Sequence, residues 1–458
     1  MRLLSFLLFF GIFSNQLAAQ SCPYYHTVEQ GQTLYAISKK FACSIDQIKA
    51  ANPGLTENIK AGSKMCIPCV DAVEQGEPEE ISQEVVEQIV QVKTGKKEKY
   101  SIVFCLPFSS GESSADSLDE RSRALRQVAL QLYRGAMMAD KKLEAIGLNA
   151  EISILDCGGS KESGDRIVKI LEEKKADLIV GPLFKESLMS VIKWADKNNA
   201  HVVVPIKMSS KILLEGKNVS KVYTSAIPQW HYMVRYAMTS NAGSTVIAVY
   251  GSKDKPAADA ANLGHISLSG DSLKSFNVSE GTVSLVNFVK SCTQPVVILN
   301  TCSDKKEWST AVTALAGLDY KLVGGEGFED GDKLSKQTRT KTAFVFSKPV
   351  LLNYNQKSDL KWIAEFRSNF KAEPNEYAVI GHDVLLYYGK AILAFGTEFQ
   401  EHLNEVDGAG LVGMGFDFFR VSENAGFENS FVNVVQNNDG LWIQKNALDS
   451  KSLNFKKE

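Results

Sequence analysis

The sequence predicts a mixed α/β protein in two parts, a small β-α-α-β module followed by a two-lobed domain with parallel sheets. The first observation is a short cysteine-bearing segment, residues 24–68, in which two strand patterns enclose two helix patterns. The second is an alternation of apolar strand runs and amphipathic helix runs from Lys99 onward, typical of a helix-covered parallel sheet. The third is that this alternation restarts after Tyr223, which indicates a second lobe with its own sheet. A chain of 458 residues is also too long for one compact core.

The composition is that of an ordinary globular protein and excludes several classes of function. Apolar residues make up 44% of the chain, charged residues 23%, and the formal net charge is -2. This balance gives no electrostatic reason to expect nucleic acid or anionic lipid as a partner. The chain has 6 scattered histidines, so we expect neither an imidazole-based metal centre nor a cofactor.

Residues 1–20 have the pattern of a secretory signal peptide. Arg2 supplies a positive charge, residues 3–13 form an apolar run, and residues 17–20 end in small residues suited to cleavage. The run is too short to span a bilayer, and no later stretch reads as a transmembrane helix. We therefore expect export to the periplasm or cell envelope. A lipid anchor at Cys22 is disfavoured, because the preceding Ala-Gln-Ser departs from the lipobox pattern.

The chain has 8 cysteines, a number that fits an oxidising compartment. In the first module we favour disulfides over zinc, because Cys66 and Cys69 form a CxxC pair without a second CxxC. The pairing among these two, Cys22 and Cys43 stays open. Four more cysteines follow in the second part: Cys105 and Cys157, expected as buried thiols in strand runs, and Cys292 and Cys302, which fit either state.

The module at residues 24–68 reads as strand, helix, helix, strand. A strand at Tyr25–Val28 leads through a turn into a helix whose apolar face includes Leu34 and Ile37. A second helix runs from Ile45 to Ala51 and is stopped by Asn-Pro-Gly at 52–54. A second strand at 65–68 closes the unit.

These residues resemble the LysM family over the whole module, taken as residues 21–69. The matching positions are Tyr25-His26-Thr27-Val28, Gly31-Gln32-Thr33-Leu34, Ile37, Phe41, Ile48, Asn52, Gly62 and Ile67-Pro68. Gln32 is a departure, because the family usually has Asp there. The resemblance implies a shallow groove for peptidoglycan or another chitin-like glycan that contains N-acetylglucosamine. Carried over by position, the groove would use Gly31, Gln32, Thr33 and Leu34, with Pro53, Gly54, Leu55 and Ile59 opposite. The alternative for Leu34 and Ile59 is that they belong to the core.

Residues 70–98 read as a linker between the two parts. An acidic stretch at 74–80 is followed by an apolar helical stripe from Ile81 to Val90 and then by basic residues at 93–97. We favour a short helix resting on its own domain over a partner-binding helix. Fully extended, this segment would span roughly 100 Å, enough for the two parts to move independently.

The second part, residues 99–458, alternates strands and helices. Strands are expected at 100–108, 151–155, 176–180, 201–205, 246–250 and 295–300, and helices at 125–145, 164–174 and 187–198. We expect a first lobe from about 99–225 with 343–400, and a second lobe from about 226–342 with 401–445.

This part resembles the type 1 periplasmic binding proteins, the family of branched-chain amino acid receptors used by ABC transporters. The resemblance rests on the order of elements and on these stretches: 102–108, Tyr133-Arg134-Gly135-Ala136, Asp156, 176–183, 202–206 and 377–383. It implies a ligand cleft between the lobes, at the carboxyl ends of the strands. There the candidate ligand-binding residues are Lys185, Ser187, Ser209 and Ser210. Lys185 stands where the amino acid receptors have Ser, and His382 where they often have Tyr.

The sequence contains no motif of an enzyme. A GxSxG elbow, a phosphate-binding P-loop and an HExxH helix are all absent, and the Gly-rich stretch 324–327 is expected to be a surface turn. Ser209 and His382 are of the residue types that act as nucleophile and base, but nothing in the sequence places them together. We therefore expect a non-catalytic envelope protein that binds glycan and captures a small ligand, an amino acid or a wall fragment. The alternative is a ligand-free scaffold for enzymes of peptidoglycan synthesis or remodelling.

Overall fold

The computed structural model describes residues 22, 25–28, 34, 37, 45–56, 59–68, 96–109, 119–327, 334–438 and 441–446. The chain divides into two compact units, Met1–Val92 and Lys93–Glu458. The signal-peptide prediction and most of the linker prediction lie outside the described residues.

The first unit is a two-stranded antiparallel sheet with helical segments packed on it. Strand β1 (Tyr25–Thr27) pairs with β2 (Lys64–Cys66), and helix α1 (Ile45–Ala51) has the bounds expected from the sequence. Leu34 and Ile37 are helical and buried, as predicted for the first helix. The core is formed by Val28, Leu34, Ile37, Ile48, Met65 and Ile67.

The described residues of the second unit form two seven-stranded sheets. The first has the strand order β13-β14-β7-β6-β5-β3-β4 and is parallel except for the pairing of β13 with β14. Its strands are β3 (Tyr100–Leu106), β4 (Ala150–Asp156), β5 (Leu178–Val180), β6 (His201–Val204), β7 (Val219–Lys221), β13 (Phe418–Arg420) and β14 (Phe427–Asn429).

The second sheet has the order β16-β15-β12-β11-β10-β8-β9, with antiparallel pairings only at β12-β15 and β15-β16. Its strands are β8 (Thr245–Tyr250), β9 (Lys274–Asn277), β10 (Val296–Asn300), β11 (Lys321–Gly324), β12 (Val345–Lys348), β15 (Asn433–Asn438) and β16 (Leu441–Gln444).

Helices cover both sheets, as the alternation predicted. They are α2 (Glu120–Ala145), α3 (Lys161–Lys174), α4 (Lys185–Asn198), α5 (Ala226–Ser240), α6 (Lys255–Ser269), α7 (Val283–Ser291), α8 (Lys305–Ala314), α9 (Lys336–Lys341), α10 (Lys357–Phe370) and α11 (Glu376–Phe395). Helices α2 and α11 pack so closely that a Cβ on Gly135 would lie 1.9 Å from the Ala378 carbonyl oxygen. The largest core cluster joins these two helices to the first sheet.

Strand pairing gives the lobes different bounds from those expected. Strand β12 belongs to the second sheet, although 343–400 was expected in the first lobe. Strands β13 and β14 belong to the first sheet, although 401–445 was expected in the second lobe. The chain therefore passes between the sheets near 222–226, again after β12, and again between β14 and β15. Backbone pairing between segments far apart in sequence decides this membership, and local alternation does not report it.

One stretch among the described residues, Glu376–Glu405, is long and apolar enough by composition to cross a membrane. Its apolar window is 78% buried inside the protein, which is what a core helix shows.

Candidate functional site

The loop after α1 in the first unit is fixed by a side-chain clamp. The Asn52 amide donates to the carbonyl oxygens of Ile48 and Cys66, each at 2.7 Å, and its Oδ1 accepts from the Cys66 backbone N–H at 2.7 Å. A disulfide links Cys22 to Cys66, which answers part of the open pairing question, while Cys43 and Cys69 lie outside the described residues. The Asn52 hydrogen bonds hold the turn that follows α1 against strand β2, and the disulfide ties the residue Cys22, which precedes β1, to the same strand.

The residues predicted to bind glycan fall into three groups. Pro53 and Gly54 are exposed at the turn after α1, and Gly54 has φ +92°, a conformation that favours glycine. Leu55 and Ile59 are partly buried against the core, and Leu34 is only 5% exposed within it. Gly31, Gln32 and Thr33 lie outside the described residues. The exposed surface that remains for a ligand among the described residues is therefore the Pro-Gly turn with the partly buried Leu55 and Ile59 beside it.

The four residues predicted to bind a ligand in the cleft each have a separate environment in the structure. Lys185 is exposed at the start of α4, and Ser187 is fully buried with its hydroxyl donating to the Phe184 carbonyl oxygen at 3.2 Å. Ser209 is exposed and accepts from the Lys211 backbone N–H. Ser210 donates to a Glu428 carboxylate oxygen at 2.9 Å. Each serine is thus used in local structure.

A different polar cluster lies where the two sheets face each other. Glu326, two residues past β11 of the second sheet, accepts from the Tyr223 hydroxyl at 2.6 Å and from the Gln229 amide at 3.1 Å. Lys207, three residues past β6 of the first sheet, places its Nζ 3.3 Å from Glu326 Oε2. Burial alone would raise the pKa of Glu326, but the hydrogen bonds from Tyr223 and Gln229 and the charge of Lys207 hold it below its ordinary value. The carboxylate is therefore ionised and fixed from both lobes.

Tyr223 is a hydrogen-bond donor to this carboxylate under all ordinary conditions. Burial, and then the bond to Glu326, raise the pKa of its phenol well above the usual value, so the proton stays on the oxygen. Its ring also faces Lys207, whose Nζ lies 5.7 Å from the ring centroid. The site thus combines a carboxylate with an aromatic face, a combination that suits an ammonium group.

Backbone amides at the strand ends are already used by the chain's own carboxylates. Asp156 accepts from the backbone N–H groups of Phe108 and Ser109 at 2.8 and 3.1 Å. In the second sheet, Asp254 accepts from the Ser303 backbone N–H at 3.0 Å and from its hydroxyl at 2.6 Å. These amides are therefore not free to bind a ligand carboxylate.

A carboxylate of the chain also binds a backbone amide beside a cavity of about 650 Å³, which is bordered by the loops after β8 and β10. Glu307 lines this cavity and accepts from the Ser252 backbone N–H at 3.0 Å. A Cβ on Gly251 would lie 2.1 Å from the other Glu307 carboxylate oxygen, so a larger residue there would displace the Glu307 side chain. In the part of the cleft that the structure describes, a ligand would therefore meet the fixed carboxylate of Glu326, whereas the amides named above are already hydrogen-bonded.

A buried ion pair lies next to the segments in which the chain passes from one sheet to the other. Lys221 on β7 lies opposite Glu428 on β14, with Nζ 2.9 Å from Oε1, and the two side chains are 1% and 5% exposed. The Lys221 ammonium also donates to the Ser225 hydroxyl and to the Tyr223 carbonyl oxygen. Burial lowers the pKa of Lys221, while the Glu428 charge opposes that shift.

His382 has a structural role in the described residues. It is fully buried, its Nδ1 lies 2.7 Å from Asp383 Oδ1, and its Nε2 lies 2.9 Å from Lys142 Nζ. Asp383 in turn accepts from the backbone N–H groups of 412, 413 and 414. Because His382 is buried and Ser209 is exposed on another element, the two do not form a nucleophile and base pair.

Thiols and metal ligands add no further chemistry within the described ranges. Cys105, Cys157 and Cys302 are buried free thiols and Cys292 is a partly buried one. Burial raises the pKa of Cys157 to about 12, which leaves the nucleophilic thiolate unpopulated. Among the described residues, His, Cys, Asp and Glu form no group that could hold a metal ion.

Comparisons with known proteins agree with this architecture. The family model described as LysM domain matches residues 26–68. A putative branched-chain amino acid ABC transporter protein from Rhodospirillum rubrum has a similar structure, with a TM-score of 0.54 at 12% identity over 76% of this chain and 99% of that chain. No curated protein matches the sequence.

Two further solved structures are similar at lower scores. One is a branched-chain amino acid ABC-type transporter protein from Rhodopseudomonas palustris, with a TM-score of 0.48 at 10% identity over 79% and 100% of the two chains. The other is an ABC transporter substrate-binding protein from Desulfitobacterium hafniense in complex with Leu, with a TM-score of 0.44 at 14% identity over 76% and 100%. The chain therefore carries a LysM domain at residues 26–68, followed by a two-lobed unit with the fold of the periplasmic binding proteins.

Proposed function

We propose that this protein is an exported, non-catalytic binding protein that is held on peptidoglycan by its LysM domain. The match of residues 26–68 to the LysM family supports a glycan ligand. The exposed turn at Pro53 and Gly54, next to the partly buried Leu55, supplies backbone groups and an apolar surface for an acetamido sugar. Gly31, Gln32 and Thr33 remain the proposed opposite wall of the groove, whereas Leu34, only 5% exposed, belongs to the core.

Sedimentation with purified sacculi and with chitin tests the glycan proposal. The full mature chain should be pulled down by both materials. Pro53→Glu places a charge on the exposed turn and should weaken retention at least tenfold, while Thr27→Glu, an equally exposed site on β1 of the same unit, should bind like the wild type. Equal retention of the two variants would contradict the assignment of the groove.

We further propose that the two-lobed unit captures a ligand that carries an ammonium group, an amino acid or a peptide fragment of the wall. One observation carries this proposal: an ionised Glu326, fixed by Tyr223 and Gln229 between the two lobes, is faced by an ammonium. A ligand ammonium in close contact with this carboxylate would make charge-assisted hydrogen bonds, which are the strong ones in a partly buried site. A ligand with higher affinity for the closed arrangement would favour closure of the lobes.

A thermal-shift screen of the full mature chain tests the cleft. A ligand at a hundred times its dissociation constant adds about 2.7 kcal/mol, which should raise the midpoint of the two-lobed unit by about 3 °C. The panel contains amino acids, short peptides and soluble wall fragments, and Glu326→Gln is the control that should reduce any shift to about half or less. A shift that Glu326→Gln leaves undiminished would place the ligand elsewhere.

A second candidate function is a scaffold for enzymes that build or remodel peptidoglycan. It is favoured by the amides at the strand ends, which Asp156, Asp254 and Glu307 already satisfy without a ligand. Cross-linking in cells should then recover a synthase or a hydrolase, and recovery of none would count against the scaffold. A flat thermal-shift screen with a folded chain would favour this second candidate.

A further inference from the structure

We propose that Lys207 is a built-in occupant of the ammonium site at Glu326, one that bridges the lobes in the absence of a ligand and is displaced when a ligand binds. This inference rests on the proposed cleft function and adds the regulation of that site. Lys207 follows β6 of the first sheet and Glu326 follows β11 of the second, so their contact joins the two lobes.

The Lys207 head group makes the contacts that recognise an ammonium. Its Nζ lies 3.4 and 3.3 Å from the two Glu326 carboxylate oxygens and 5.7 Å from the centroid of the Tyr223 ring. A carboxylate supplies the charge, and an aromatic face adds a cation–π attraction. A ligand ammonium would be held by the same two groups.

The site does not depend on Lys207 for its shape. Gln229 donates to Glu326 at 3.1 Å, and its own oxygen accepts from the Ser347 hydroxyl of β12 at 3.0 Å. The turn behind Glu326 is also packed, because a Cβ on Gly325 would lie 2.9 Å from the Trp230 ring. Removal of the Lys207 side chain should therefore leave a preformed site with an unneutralised carboxylate.

The strength of the Lys207 contact suits a displaceable occupant. The Lys207 side chain is 72% exposed, whereas that of Glu326 is 25% exposed. Ion pairs with such exposure are weak, so competition by Lys207 should lower the affinity of a ligand ammonium by no more than about fivefold. A buried lysine in this position would have excluded ligands instead.

Small amines test the inference. Lys207→Ala removes the ammonium end of the lysine side chain, and methylammonium has the same chemical group and can take its place. Thermal unfolding of the full mature chain is followed in methylammonium chloride, with sodium chloride at equal ionic strength as reference. We expect methylammonium to stabilise Lys207→Ala over the sodium reference in a saturable way, and to stabilise the wild type and Lys211→Ala only at concentrations up to about fivefold higher. Lys211 is a matched control, because it is an exposed lysine four residues further along the first lobe.

Two further measurements test whether the methylammonium effect depends on Glu326 and on N–H donors. Lys207→Ala combined with Glu326→Gln should lose the methylammonium effect, and tetramethylammonium, which has no N–H donor, should stabilise Lys207→Ala less than methylammonium does. An identical response of Lys207→Ala, Lys211→Ala and the wild type would overturn the inference. So would a methylammonium effect that persists in the double variant.

The outcomes also separate this inference from the proposed function. If the wild type binds no amino acid or wall peptide but Lys207→Ala binds methylammonium, the site stands and the receptor function fails. If the wild type binds an amino acid and Lys207→Ala neither gains affinity nor responds to methylammonium, the receptor function stands and the role of Lys207 fails.

Discussion

Lys221→Met should destabilise the two-lobed unit far more than an ordinary surface substitution. Lys221 and Glu428 are directly opposite on neighbouring strands, 2.9 Å apart and almost completely buried. The substitution keeps the volume of the side chain and removes its charge. It leaves the Glu428 carboxylate, 5% exposed, with only the Ser210 hydroxyl as a described side-chain donor.

The expected cost follows from the desolvation of the remaining carboxylate. Loss of one partner from a buried ion pair costs about 3–5 kcal/mol, because the other charge stays buried without compensation. Lys221→Met combined with Glu428→Gln removes both charges and lets the Gln amide bond Ser210. Since replacement of a whole buried pair is often neutral, the double variant should regain all but about 1 kcal/mol.

Urea unfolding, followed by circular dichroism, gives the free energy of unfolding of both variants. The midpoints are compared only where the dependence of that free energy on urea concentration is the same. Lys255→Met is the matched control, because Lys255 pairs with Asp259 but the two side chains are 58% and 53% exposed. That variant should lose less than about 0.5 kcal/mol. A Lys221→Met protein within 1 kcal/mol of the wild type would refute the reasoning, as would a double variant no more stable than the single one.

Three further predictions follow from buried groups. Burial depresses the pKa of His201 from 6.5 to about 3, so below pH 6.5 the unfolded chain binds a proton that the folded chain does not. Stability should therefore fall by about 2 kcal/mol from pH 7 to pH 5, and a His201→Gln variant with the same pH dependence would contradict this. Replacing both Cys22 and Cys66 by serine opens a disulfide with a sequence separation of 44 residues and should cost about 4 kcal/mol of LysM stability, measured by urea unfolding. Gly135→Ala should cost about 2 kcal/mol or more, because its Cβ would overlap the Ala378 carbonyl, and an unchanged melting temperature would exclude that contact.

The sequence predicted the order of elements well, because local periodicity reports local structure. The alternation from Lys99 onward predicted β3, β4, β5, β6, β8 and β10 within a few residues but missed the short strands β7 and β9, and α1 has the predicted bounds, Ile45 to Ala51. The bounds of the lobes were not accessible in this way. They depend on pairings such as that of Lys221 with Glu428, which are separated by more than two hundred residues and have no local signature.

The binding sites were harder to predict than the fold. Ser187 is predicted as a hydroxyl donor at a helix start, but in the structure its hydroxyl donates to the Phe184 carbonyl oxygen. Glu326 lies in the Gly-rich stretch that the sequence indicates as a surface turn, although a carboxylate two residues past a buried strand is a signal for the cleft edge. Its binding partners Tyr223 and Lys207 lie about a hundred residues away in sequence and contact Glu326 only in the folded chain.

Isothermal titration of the full mature chain with amino acids and with their N-acetylated forms tests directly whether Glu326 binds an ammonium group. Acetylation replaces the charged ammonium by a neutral and bulkier amide. We expect that at least one amino acid or wall peptide binds, that its N-acetylated form does not, and that Glu326→Gln weakens binding about 10- to 100-fold through loss of a charged hydrogen bond. Equal binding of both forms, or full affinity in Glu326→Gln, would contradict the assignment of the ammonium site to Glu326.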